Sequence, residues 1–283
     1  MISPDEEAYI LRKAYIPEHI VGLMTSISGA EAFLKNGFLY YVKNQWATVV
    51  GYPLEGTFSV HDFEAFVHDL TGNVPCTTWW IMAPQLPETF IREATEKEFD
   101  EYYTLSLDAY TVKKGLHKKV EEARASIAYE RSRTFTHEHE TLVQEFIRRE
   151  ELNDRVRELY LSMPRYMATN KTGFVLDGRS RDGRLVAFYI LELGAKDFAA
   201  YILGCHSKRH YIPHASDLLF YEMVNIARNE GKKVLNLGLG VNSGIRRFKR
   251  KWGGIPSLTY EFCEYIPHRT GIVSLIQSLE GRL

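Results

Sequence analysis

Little in this 283-residue chain invites covalent or metal stapling. It has three cysteines, Cys76, Cys205 and Cys263, an odd number with no CxxC pair, which argues against a disulfide framework or a zinc ribbon. No HExxH helix motif occurs, and His137 and His139, two residues apart, would point to different sides of a helix, so no metal site is expected. No apolar run approaches the roughly 18 residues of a membrane helix. The opening MISPDEEAYI lacks the charged-then-apolar plan of a secretory leader, and the expectation is a cytoplasmic protein. Charge of one sign is also missing: 35 Lys+Arg against 36 Asp+Glu give a net −1. A surface that grips nucleic acid all over is thereby excluded, while a local basic site is not.

What is present is the patterning of a folded α/β chain, with 45% hydrophobic and 25% charged residues. "FLYYV" and "WATVV" read as strands about the turn Lys43-Asn44-Gln45. "SVHDFEAFVHDLTG" follows with Phe63, Phe66, Val67 and Leu70 on one helical face, and "CTTWWIMA" returns to a strand pattern. From Lys113 to Arg165 the chain is dense in both charge signs and reads as helices, with Pro164 near the end of the last. A second α/β unit begins at Gly173: strands "RLVAFYILEL" and "FAAYILGCH", a helix in "HASDLLFYEMVNIARNEG", strand "KVLNLG", and a closing strand "SLTYEFCEYI".

Between those last two strands lies the most chemical stretch, "NLGLGVNSGIRRFKRKWGG". A dinucleotide fingerprint would need glycine where Ser243 stands, and an NTPase loop would need Gly-Lys-Ser/Thr where Gly244-Ile245 stands. The five cations of "RRFKRK", with Phe248 and Trp252 available for stacking, fit a nucleic-acid patch or simply a solvated helix face.

The run "LNLG", "GLGVNSG", "IRRFKRKWGG" resembles the end of the acyltransferase domain in Fem-type aminoacyltransferases, and "DEYYTLSLDAYTVKKGLHKKVEEARA" resembles the start of that domain in the phosphatidylglycerol lysyltransferase group. The order strand, strand, helix, strand before it is similar to the second half of a GNAT N-acyltransferase. This resemblance implies two GNAT-like domains with mixed, mainly antiparallel sheets: a degenerate one over residues 1–110, then a helical connector plus acyltransferase domain over 111–283. It implies transfer of an activated acyl group to a small-molecule or peptide amine, with acyl-CoA, an acyl carrier or aminoacyl-tRNA as donor and tRNA as a partner.

By the same resemblance, "RLVAFYILEL" and "FAAYILGCH" would part to seat the acyl chain, and Lys249 would face the reacting carbonyl. Phe248, Asn242, Gly240, Arg247 and Trp252 would surround the donor. Lys208 and Arg209 would lend charge in "CHSKRHYIPHASD", which lacks the glycine-rich diphosphate turn of coenzyme-A-dependent relatives. Glu192 and His206 are the candidate proton acceptors, with loss of the proton to water as the alternative. Two other classes stay open: a catalytically inactive tandem GNAT-like ligand-binding module, and an RNA-binding protein.

Overall fold

The computed structural model describes residues 2–150, 152 and 154–267. It opens with helices α1 (Pro4–Lys13) and α2 (Val21–Ser28), then strands β1 (Glu31–Lys35), β2 (Phe38–Lys43) and β3 (Trp46–Val50). Helix α3 (Val60–Asn73), strand β4 (Thr78–Ala83), helix α4 (Glu88–Glu93) and the long strand β5 (Ala94–Ser106) complete the first half. The second half runs α5 (Lys114–Arg124), β6 (Ile127–Ser132), α6 (His137–Arg149), α7 (Asp154–Leu161), α8 (Met163–Thr169), β7 (Gly173–Ser180), β8 (Leu185–Glu192) and β9 (Phe198–His206). It ends with α9 (Ala215–Asn229), β10 (Val234–Leu239), α10 (Ser243–Lys251) and β11 (Ile255–Tyr265).

The eleven strands of the described residues form one sheet in the order β1-β2-β3-β4-β11-β5-β10-β9-β8-β7-β6. Only β3–β4 and β9–β10 are parallel pairs; the remaining neighbours are antiparallel, as expected. A repeat of topology underlies this order. A meander (β1-β2-β3 or β7-β8-β9), a helix (α3 or α9) and a parallel strand (β4 or β10) occur once in each half.

The separate sheets expected for residues 1–110 and 111–283 are not what forms. β5 follows β4 in sequence but lies between β11 and β10, and β11 lies between β4 and β5. Each half thus lends its last long strand to the other. β5 and β11 then pair antiparallel from Ile255↔Thr104 to Tyr265↔Ala94. Strand alternation along β5 sorts the cores: Tyr103 and Leu105 face the side carrying α5 and α9, while Tyr102 faces the side carrying the N-terminal segment.

The charge-dense region also departs from the helical reading, because "IAYERS" is edge strand β6, paired with β7 through six residues. Its outward residues are nearly all polar, which hides a strand from a hydrophobicity pattern. Pro164 sits in the first turn of α8 rather than at a helix end, where its missing N–H costs nothing.

The strand exchange has a testable consequence. A fragment of residues 1–110 leaves β4 without its neighbour β11, so by circular dichroism it should be unfolded or aggregated alone. Co-expression with residues 111–283 should recover a folded complex. A cooperative melt of the isolated fragment would contradict the exchanged arrangement.

Candidate active site

The site is built where the parallel pair β9–β10 comes apart. The two strands are in register only at Val234↔Phe198, Leu235↔Ala199 and Asn236↔Ala200. Beyond Asn236 the β10–β5 register also shifts, resuming at Leu239↔Tyr102. Gly238 makes this break possible: its φ of 72° lies in the left-handed region, and its N–H turns away to the Asn236 side chain at 2.8 Å. The equivalent strands of the first half stay paired from Trp46↔Thr78 to Val50↔Met82 and show no such opening.

The expected opening was one strand away. β8 and β9, "RLVAFYILEL" and "FAAYILGCH", remain zipped from Glu192↔Ala200 to Ala187↔His206 with one local register shift. The antiparallel partner is fixed by a short connection, whereas the parallel partner arrives through a helix and is free to diverge.

Lys249 fills the break. Asn242 starts α10 by accepting the Ile245 N–H at 2.9 Å, so its role in this structure is a helix cap. One turn and a half later, Phe248, Lys249 and Trp252 face inward, and Arg246, Arg247 and Arg250 face outward. Phe248 packs edge-on against Phe220, and Trp252 stacks on it at 4.8 Å while its indole N–H donates to Asp217. Lys251 also bonds Asp217, which welds α10 to the first turn of α9. The helix stops at Gly253, φ 91°, and at Gly254 a Cβ would crowd the Leu237 side chain at 2.7 Å and the Lys249 carbonyl at 3.0 Å.

So held, the Lys249 ammonium, 5% exposed as a residue, donates to the Leu239 carbonyl at 2.5 Å. It stands about one methyl group's contact, 4.0 Å, from where a Cβ on Gly238 would be, and that same point is 3.9 Å from the Tyr201 carbonyl of β9. The amine therefore looks into the gap between the parted strands, over the Tyr103 ring. Burial pushes its pKa down to about 7, opposed by the Asp100 carboxylate. Asp100 also takes the Val241 N–H and Arg246, pinning the loop through Gly240, where a Cβ would strike both Asp100 and Arg246.

The two candidate proton acceptors lie elsewhere. Glu192 is fully buried, accepting from the Tyr166 hydroxyl on α8 and from the Gly194 N–H, and stands two strands, roughly 10 Å, from β10. His206 is six residues beyond Ala200, about 20 Å along β9, and is held neutral by burial and by the cations Arg149 and Lys208. Lys208 and Arg209 lie on the loop after β9, but the Glu145 carboxylate of α6 already takes the Lys208 N–H, the Arg209 N–H and the Ser207 hydroxyl. That loop binds a carboxylate from its own chain where a diphosphate would need free donors. Cys205 is buried with its thiol pushed well above its ordinary value, hence inert. His139 is likewise accounted for, locked between Thr136 and Asp177. Among the described residues no His, Cys, Asp or Glu group could hold a metal ion. No helix among them is long and apolar enough to cross a membrane.

A buried ammonium with one hydrogen-bond acceptor costs stability as long as it is charged. Its folded pKa near 7 lies below the unfolded value near 10.5, so the penalty is complete below pH 7 and fades as pH rises from 7 to 10.5. Lys249→Met should therefore stabilise the fold at pH 6 by on the order of a few kcal/mol, seen as a higher melting temperature, and the gain should shrink by pH 9.5. Thermal melts of both proteins across this range check it; a pH-independent difference would remove the buried-cation reading.

No protein-family model matches the sequence, and no curated protein matches it. Solved structures do match in shape. FemX aligns with a TM-score of 0.63 at 12% identity, covering 98% of each chain. L-PGS from Bacillus licheniformis aligns at 0.56 and 16% identity, covering 97% of this chain and 95% of its own. The tandem GNAT protein from the clavulanic acid biosynthesis pathway aligns at 0.56 and 13% identity, covering 93% of this chain and 96% of its own. Over nearly its whole length the chain thus has the GNAT-like fold that FemX, L-PGS and the tandem GNAT protein share.

Proposed function

We propose that this protein transfers an activated acyl or aminoacyl group to an amine by direct attack in a ternary complex. One observation carries the reading: a buried lysine ammonium aimed into the break between β9 and β10. A carbonyl entering that break extends the interrupted ladder, and its oxygen comes to lie by Lys249 Nζ. As the amine attacks, negative charge grows on this oxygen, and a desolvated ammonium stabilises it far more than water would. Phe248 and Trp252 keep α10 rigid, so the charge is in place before reaction. The likeness in fold to FemX and to the tandem GNAT protein supports the same chemistry.

Aminoacyl-tRNA is the donor this site favours. The loop after β9 spends its free N–H groups on Glu145, which leaves no cradle there for a coenzyme A diphosphate. The outer side of α10 presents Arg247 together with Arg246 and Arg250, which also reach Asp100 and the Tyr103 hydroxyl, and this basic face is suited to a polyanion. Acyl-CoA remains the second reading, supported by the fold shared with the tandem GNAT protein.

Turnover with the true donor should fall about 10²–10³-fold in Lys249→Ala, the cost of losing one oxyanion donor. Because the charged form does the work, kcat should decline as pH rises through about 7 in the wild type and lose that limb in the variant. A rise of kcat across the same range would make Lys249 a base instead. Melting-temperature scans against charged tRNA, uncharged tRNA, acyl-CoA and coenzyme A separate the donors: a response to the CoA compounds alone would overturn the tRNA assignment.

A further inference from the structure

Directly behind the Lys249 break, on the other side of the sheet, two buried polar atoms have only each other. They are Glu18 Oε2 and the Tyr102 hydroxyl, which make no hydrogen bond of ordinary length to any other described group and face each other as a loose carboxyl–phenol pair. The two face each other closely enough for each to shift the other's acidity. A buried polar atom without a full set of partners costs on the order of 1–3 kcal/mol, so its retention in a folded protein calls for a function or a bound group.

The surroundings are built rather than accidental. Tyr102 is edge-on to Tyr52 at 5.8 Å and to Tyr260 at 5.6 Å, and Tyr15 is edge-on to Tyr52 in the same cluster. The segment carrying Glu18 is fixed by its neighbour His19, which donates to the Tyr52 carbonyl at 2.9 Å and accepts the Tyr15 N–H. Burial holds that imidazole neutral, with a pKa near 4. Tyr41 anchors the Glu18 carbonyl, and Tyr52 anchors β11 through the Thr259 carbonyl. Glu18 is half-buried as a residue, with its carboxyl end turned into the cluster. The cluster also meets the break: Asn236 bonds the Tyr15 carbonyl, Leu239 packs on the cluster and is opposite Tyr102, and the Leu239 carbonyl is the acceptor of Lys249.

We propose that Glu18 and Tyr102 form a seat for a primary ammonium group, with the tyrosine faces around it as its walls. A carboxylate offers the charge, a phenol oxygen offers a second acceptor, and aromatic faces favour a cation over a neutral or anionic guest. Resting on the acyl-transfer reading, the seat is that of the acceptor amine. One proton passes from the ammonium nitrogen to the Glu18 carboxylate; the freed lone pair attacks the carbonyl carbon in the break. The second proton leaves with the departing oxygen or sulfur as the acyl bond to it breaks. Desolvation raises the Glu18 pKa, which suits an acceptor of that first proton.

The test reads binding alone, so it stands apart from turnover and from Lys249. Isothermal titration of the full chain at pH 7.5 uses n-butylammonium as probe, with tetramethylammonium and n-butanol as controls. Wild type should bind the primary ammonium at least tenfold more tightly than either control. Glu18→Gln and Tyr102→Phe should each weaken it at least tenfold. Tyr102→Phe removes a loosely paired hydroxyl and should fold at least as well as wild type, which keeps the test valid if Glu18→Gln does not fold. Equal affinity in wild type and Tyr102→Phe, or no binding by wild type, would overturn the seat and leave a structural pair bridged by water. Loss of the probe with transfer activity intact would overturn only its role as acceptor site.

Discussion

Everything in the site depends on a single hydrogen bond made in an awkward place: the ammonium of Lys249 to the carbonyl of Leu239. Without the break in β10 that carbonyl would face a neighbouring strand, and without α10 the lysine would seek water. Gly238 supplies the break, and the Asp217 knot with Lys251 and Trp252 supplies the leverage that holds a cation against desolvation. The charge is retained at a cost to stability, and such costs concentrate where chemistry needs a preorganised field.

The repeat explains why only one half carries that arrangement. Both halves thread a helix between parallel strands, but β3 and β4 keep their ladder while β9 and β10 abandon theirs after three residues. The first half instead contributes from behind. Its N-terminal segment brings Tyr15, Glu18 and His19 to the back of β10, and its last strand brings Asp100, Tyr102 and Tyr103. A half that looks merely structural in sequence thus furnishes much of the wall around the opening.

Much of this was legible beforehand. The strand pairs β2–β3 and β8–β9, the long helix and β10 follow from plain alternation and periodicity, whereas a lysine turned inward on α10 is an expectation that only the Fem-type resemblance carries. The polar β6 was not legible, because an edge strand's outward residues imitate a charged helix. Which neighbour of β9 diverges is not legible, because it depends on long-range register: β8 stays paired with β9 and β10 parts from it. Glu192 looked free to accept a proton only because its partner Tyr166 is 26 residues away. Glu18 carried no motif; its interest comes entirely from what surrounds it.

The exchange of β5 and β11 also limits how the molecule can move. Two lobes joined by a linker can close on a substrate like a jaw, but a lobe stitched into its twin by a ten-pair ladder has no hinge to turn on. Capture of anything between β9 and β10 must then rely on side chains and on the loop through Val241, not on swinging bodies. The result is an anvil rather than a clamp.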